Sequence, residues 1–501
     1  MWTRRTWWLS AWWKVAIPIA ALVLAGVPVV MAKAGTTGSP AAAYTSHDFG
    51  FAEGAGTADA DLGQRLDGIT GYGAGQAPFV RTDLDWWGMQ PCADCAIDWS
   101  RLDAIVDGAT PRGLRVVLIL DAAPPWANGG HKEGRWFPTS DAAWRSIVDA
   151  AVAHFGPKVA GYEVWNEPNL ETSGEYAGDR RLRYWQLVRL AYPRIHAGCS
   201  GCVVLAGATG YGTPSTPQRN DNEPSAWLDW AYGNGYGAYF DALAHHPYPA
   251  WNSGKRASDP ECTVPWWDMF GPADQPNCGE LGRLRAVMVA HGDGAKKIWA
   301  TEFGYPTSGA TGLPLEVVRD RLVEGITMWR SLSYTGPLFL YSYRDACIDA
   351  TNPECNFGLV SRDFTPKGVL HTDVARTLTG GWPASLATEQ SLRRWSSLRA
   401  GDGSYQVWLQ GDDNLVVYRA AGTALWSSHT AIDPTSRIGD QGRLVNQADG
   451  NLVLYRDDGM AVWTSGTAGN GPSTLWMQQD GNLVLYRNRD AKPIWASNTA
   501  Q

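Results

Sequence analysis

One nine-residue pattern recurs three times near the C-terminal end of the chain and limits the possible folds more than any other feature. It runs from Gln410 through Asp412, Asn414 and Val416 to Tyr418. It returns as Gln447, Asp449, Asn451, Val453 and Tyr455, and again as Gln478, Asp480, Asn482, Val484 and Tyr486. The copies are offset by 37 and 31 residues, and each is followed by a tryptophan: Trp426, Trp463 and Trp495. Repetition of this kind predicts an array of three similar β-units sharing one core. Side chains alternate across a strand, so in the third copy the polar residues share one face with Val484, while Leu483 and Leu485 point the other way. A row of amides, a carboxylate and a phenol can bond adjacent hydroxyls together, and a dry core would not tolerate that row unpaired.

The rest of the chain is different. It has 501 residues with 50 acidic and 42 basic ones, so a second folding unit is expected beside the repeats. The 44% hydrophobic content excludes a disordered chain, and the −8 net charge without basic runs argues against a nucleic-acid partner. Arg4, Arg5 and Lys14 precede an apolar run from Val15 to Met31 that ends at Ala32-Lys33-Ala34. Residues 1–34 therefore read as an export signal, with a retained anchor at the outer face of the plasma membrane as the alternative. No other membrane contact is expected. The eight cysteines fall as local pairs: Cys92 with Cys95, Cys199 with Cys202, Cys262 with Cys278, and Cys347 with Cys355. Export favours these four disulfides, and a zinc site made of the two C-x-x-C pairs is the rival.

Residues 44–382 alternate strand-like and helical runs. Eight candidate strands are His47–Phe51, Phe79–Asp83, Arg115–Asp121, Gly161–Asn166, Val203–Gly207, Phe240–His245, Lys297–Thr301 and Leu338–Tyr343. Amphipathic helices fit between several of them, such as Ala142–His154 and Leu315–Leu332. The expectation is an α/β fold, a closed (β/α)₈ barrel, with an open doubly wound sheet as runner-up. Gly380 to Pro383 makes a short joint before the repeat domain, residues 385–501. Trp86, Trp87, Trp126, Trp136, Trp251, Trp266 and Trp267 fall in predicted loops or strand ends and divide between sugar platforms and loop core.

Two carboxylates stand at strand ends where a barrel keeps its chemistry. Glu167 closes Gly161-Tyr-Glu-Val-Trp-Asn-Glu167, and Glu302 closes Ile298-Trp-Ala-Thr-Glu302. Glu163 reads as a buried or salt-bridged strand residue. The string Trp165-Asn166-Glu167-Pro168 resembles the fourth-strand signature of the clan A retaining glycoside hydrolases. Thr301-Glu302-Phe303-Gly304 resembles their seventh-strand nucleophile segment, and His245-His246-Pro247-Tyr248 their sixth-strand segment. Gly358-Leu359-Val360 followed by Pro366-Lys367 is like the exit from the eighth strand. The resemblance is nearest to families 39 and 5. It implies Glu167 as acid/base, Glu302 as nucleophile, Asn166 on the sugar 2-hydroxyl and Tyr248 on Glu302. Arg81 and His246 join the substrate-binding set, and Tyr341 or Tyr343 stands where the clan has a tryptophan. The implied carboxyl separation is about 5–5.5 Å, against about 6.5–9.5 Å for inversion. A metal shared by His245 and His246 is disfavoured because adjacent strand residues face opposite ways. Neither metal nor organic cofactor is expected.

The repeats resemble the bulb-type mannose-binding lectins, which implies an all-β, β-prism II domain. The resemblance makes each Gln, Asp, Asn and Tyr set a mannose site, with Val416, Val453 and Val484 in apolar contact and the three tryptophans in the core. The combined reading is an exported enzyme that hydrolyses β-glycosidic bonds in a polysaccharide and holds mannose-containing glycans through its lectin domain. A carbohydrate-binding or bacteriocin-like protein without turnover is the alternative.

Overall fold

The computed structural model describes residues 39–54, 60–73, 77–210, 223–248, 279–381, 383–394, 396–401, 403–419, 423–432 and 442–501. The expectations for residues 1–34, for Trp251, Trp266 and Trp267 and for a Cys262–Cys278 bridge lie outside them. Among the described residues, no helix is long and apolar enough to cross a membrane.

Eight parallel strands pair in sequence order and close on themselves. They are β1 (Phe49–Ala52), β2 (Phe79–Asp83), β3 (Arg115–Leu120), β4 (Gly161–Val164), β5 (Val203–Thr209), β6 (Ala242–His245), β7 (Ile298–Phe303) and β8 (Thr335–Leu340). Covered on both faces, they read as near-continuous apolar runs. Val116, Leu118 and Leu120 of β3 face the outer helices, while Val117 joins Phe79, Val203, Ala242, Trp299 and Phe339 inside the barrel. Each of these large side chains contributes about 1.5–3 kcal/mol by leaving water. The helices Asp141–Phe155 and Arg180–Gly198 start at Ser140 and Asp179, whose side chains accept from Ala143 N at 3.2 Å and Leu182 N at 2.9 Å.

Seven of the eight strands have limits that differ from expectation, and two of these bear on the site. β4 stops at Val164 because Trp165 turns to a φ of 67° and leaves the extended region. β8 begins at Thr335 and ends at Leu340, before either candidate tyrosine.

Above the apolar plug the inner face becomes charged. Two residues beyond Phe79 on β2 stands Arg81, and two beyond Gly161 on β4 stands Glu163. Both are buried, and Arg81 Nη2 donates to Glu163 Oε1 at 2.5 Å. This pair carries the barrel interior from packing to chemistry.

The C-terminal repeats form three four-stranded antiparallel sheets. One holds β11 (Ser396–Arg399), β12 (Tyr405–Leu409), β13 (Leu415–Arg419) and β14 (Ala424–Ser427). The second holds β10 (Ser391–Arg393), β15 (Arg443–Asn446), β16 (Leu452–Tyr455) and β17 (Ala461–Thr464). The third holds β9 (Ser385–Ala387), β18 (Ser473–Met477), β19 (Leu483–Arg487) and β20 (Lys492–Ala496). The three short leading strands thus go one to each sheet and tie the array together. Trp426, Trp463 and Trp495 meet edge to face, with ring centroids 5.5–5.8 Å apart, over a leucine and valine core.

The turn inside each repeat needs a left-handed residue. Gly450 and Gly481 supply it at φ 87° and 86°, whereas the first repeat uses Asp413 at 63°. The Asp413 carboxylate is held by buried Arg394, which also bonds Asp457 at 3.0 Å.

Cys92–Cys95, Cys199–Cys202 and Cys347–Cys355 are disulfides, so each C-x-x-C pair closes on itself and the zinc reading falls away.

Candidate active site and the repeated polar rows

Strict alternation along β7 would send Glu302 outward, since Trp299 faces in and Ala300 faces out. The ladder to β8 slips between Ala300 and Phe303, and this irregularity turns Glu302 into the barrel mouth. There Oε1 accepts from Arg81 Nη1 at 2.7 Å, and Oε2 accepts from the Tyr248 hydroxyl at 3.0 Å. Arg81 Nη2 also donates to Asn166 Oδ1 at 2.7 Å. One guanidinium therefore fixes Glu163, Asn166 and Glu302 in a single plane of bonds.

Glu167 stands on the strained exit from β4. Trp165 and Glu167 both have positive φ, 67° and 43°, which costs energy for residues with a Cβ. Neighbouring bonds hold the strain: Trp165 Nε1 donates to Ser173 O at 2.7 Å, and Glu167 N donates to Ala208 O at 3.0 Å. His246, fully buried, lies between the carboxylates, with Nδ1 3.0 Å from Glu167 Oε1 and 3.5 Å from Glu302 Oε2. One oxygen of each glutamate and this nitrogen all lie within 4.8 Å of one another. Three such atoms could hold a cation, but Arg81 and Tyr248 already occupy the Glu302 oxygens.

The electrostatics separate the groups. Burial pushes the Glu302 carboxyl up, but His246, Arg81 and the Tyr248 hydroxyl outweigh it and hold Glu302 below the usual carboxylate value. Burial pushes His246 down, yet Glu302 and Glu167 reverse this, so its pKa is raised above 6.5. Tyr248 is pushed well up by burial and then by Glu302, and stays a donor.

Tyr341 lies at this mouth, near Glu302, Glu354 and Tyr248. Tyr343 does not: it packs in the outer core against Phe51 and Tyr72, at ring distances of 5.7 and 6.1 Å. Because β8 ends at Leu340, the two tyrosines no longer share a face. Trp86 is buried core, and Trp126 meets it edge to face at 5.3 Å. Trp136 stacks on His131 with centroids 3.4 Å apart.

Three further carboxyl groups lie near the pair; the sequence offers Asp83 beside Arg81 on the second strand, and it singles out neither Asp121 nor Glu354. Asp83, two residues beyond Arg81, and Asp121, just past the end of β3, lie close enough for their charges to act on each other. Burial raises both, and each also feels a neighbouring carboxylate. Asp121 Oδ1 is buried without a partner. Glu354 is raised by burial and then by Glu302 and Glu167. The parity of Arg81 and Asp83 points to Asp83. Nothing local marks Glu354, which depends on the loop closed by Cys347–Cys355.

The repeated polar rows superimpose in their bonding. Gln410, Gln447 and Gln478 each donate Nε2 to their own tyrosine hydroxyl, Tyr418, Tyr455 and Tyr486, at 2.7–2.8 Å. Asp412, Asp449 and Asp480 each accept from the backbone N of Asn414, Asn451 and Asn482 at 2.9–3.0 Å. The asparagine Oδ1 atoms accept from Thr430, Thr467 and Thr499 N, which fixes the side chains and turns each Nδ2 away from that backbone contact. Val416, Val453 and Val484 are almost wholly buried and form the floor beneath these groups.

No protein-family profile matches the chain, and no curated protein sequence does. Among solved structures, the barrel-bearing chain is similar to a family 39 glycoside hydrolase from the gut symbiont Bacteroides cellulosilyticus. Identity is 17%, the match covers 86% of this chain and 81% of that one, and the TM-score is 0.55. At that identity the likeness is one of fold, a closed (β/α)₈ barrel. A monomeric β-xylosidase from Caulobacter crescentus matches at 19% identity over 74% of this chain and 72% of that one, with a TM-score of 0.48. A monomeric monocot mannose-binding lectin from Gastrodia elata matches at 34% identity over 24% of this chain and 99% of that one, with a TM-score of 0.21. The chain thus joins a closed (β/α)₈ barrel, the fold it shares with the family 39 structure, to an array of three four-stranded antiparallel sheets.

Proposed function

We propose that the protein is an exported retaining glycoside hydrolase that cuts β-linked polysaccharides and holds mannose-containing glycans through its repeats. The observation that carries the reading is the pairing of an ionised Glu302, clamped by Arg81 and Tyr248, with Glu167 across His246. Their nearest approach of 4.8 Å or less suits the retaining separation of about 5–5.5 Å better than the inverting one. Glu302 attacks the anomeric carbon as the bond to the leaving oxygen breaks, and Glu167 gives that oxygen its proton. Glu167 then takes a proton from water, whose oxygen displaces Glu302 and restores the enzyme. Arg81 keeps Glu302 and Asn166 in register for both steps. The disulfides and the apolar run near the N-terminus support export.

The surrounding charge narrows the sugar. The charge of Arg81 is committed to Glu163 and Glu302 and is not offered to a uronate carboxylate. The sugar at the cleavage point is therefore neutral. The test is reducing-sugar release from β-mannan, β-glucan and xylan, with Glu302→Gln beside the parent. Release that vanishes in the variant supports the reading. No release from any polymer, with mannan still retained, would leave a binding protein.

A further inference from the structure

The three polar rows are alike, but their surroundings are not. The residue opposite the floor valine is Trp408 in the first repeat, Val445 in the second and Trp476 in the third. Trp476 is 44% exposed, the one tryptophan among the exposed large hydrophobic side chains of the described residues. It stands two residues before Gln478, on the same strand face. A cleft of about 710 Å³ opens over it, lined by Thr474, Trp476, Gln478 and Tyr486, with Ala384 and Gly401 along one wall. That volume falls in the range of about 300–1,000 Å³ typical of ligand pockets and exceeds what one sugar ring fills. Beyond the indole, Thr474 Oγ1 donates to Asn488 Oδ1 at 2.8 Å, which puts polar groups at the far rim.

We propose that the third repeat binds an oligosaccharide through two adjoining subsites. The first sugar sits on the row of Gln478, Asp480, Asn482 and Tyr486, and the next stacks its apolar face on Trp476 within reach of Thr474 and Asn488. The ligand class is a neutral glycan of at least two linked sugars. An exposed indole beside a polar row is what such a ligand requires, because each ring offers C–H groups on its face and hydroxyls on its edge. The proposal rests on the lectin reading of the repeats and gives the third one a distinct role.

The test is calorimetric titration of the full chain with methyl α-mannoside and with a linear mannotriose. The parent, W476A, W476F and W408A are compared, with melting curves confirming that each variant is folded. The expected result is that the parent binds the triose about five- to tenfold more tightly than the monosaccharide. That preference disappears in W476A and persists in W476F and W408A. Equal affinity for the two ligands in the parent, or a preference that survives in W476A, overturns the second subsite while the lectin reading stands. Absence of binding to both sugars overturns the lectin reading and this proposal with it.

Discussion

His246 Nδ1 lies 3.0 Å from Glu167 Oε1, so the carboxyl proposed to hand over a proton is bonded to a buried imidazole that also faces Glu302. Any change at His246 is therefore felt by both carboxyl groups.

Activity on the acid side follows Glu302. Its pKa is held below 4.5, so the carboxylate is present above that lowered value and lost as pH falls through it. In His246→Gln a counter-charge is gone and the acidic limb of kcat/KM moves up in pH. On the basic side, His246 keeps its proton above 6.5, and its support of Glu302 fades as pH climbs through that raised value. A pH–rate profile of parent and variant checks both limbs.

Glu163 is buried beneath the site, where it pairs with Arg81 and positions it. Removing one partner from a buried ion pair costs about 3–5 kcal/mol. Glu163→Gln should lower both the melting temperature and kcat while leaving KM little changed. A raised KM with unchanged kcat would point to a direct role in sugar binding instead.

Gly210 lies against Glu167: a Cβ there would collide with Glu167 Oε1. Gly210→Ala should reduce kcat by at least about tenfold, since small misplacements of catalytic groups are costly. The melting temperature should barely move, because Asn169 still bonds Gly210 through its backbone.

The repeat pattern invites replacing Asp413 with the glycine found in the other two copies. The turn would relax, but buried Arg394 would lose the Asp413 carboxylate. Asp413→Gly should destabilise the three-sheet array by about 3–5 kcal/mol, read by denaturant unfolding. A neutral or stabilising result would mean that backbone strain at φ 63° outweighs the ion pair.

Much of this was legible in the residues. The three repeats announced three sheets, and strand ends announced Glu167 and Glu302, because alternation and punctuation are local. Arg81 and Tyr248 sat where the resemblance put them, as bonded partners of Glu302. Tyr343 was misread because the end of β8 at Leu340 depends on pairing to β7, which no local pattern reports. The bridging place of His246 and the approach of Glu354 arise from loop closure, and Trp476 looked like any strand residue until its neighbours left it uncovered.

Double displacement at Glu302 is tested most directly by the stereochemistry of cleavage, read by proton NMR of the first-formed sugar on the polymer that releases product. Glu302 as nucleophile predicts that the β-anomer appears first and mutarotates later, and that Glu302→Gln forms neither anomer. Initial α-anomer would contradict the double displacement and assign the pair to single-step hydrolysis.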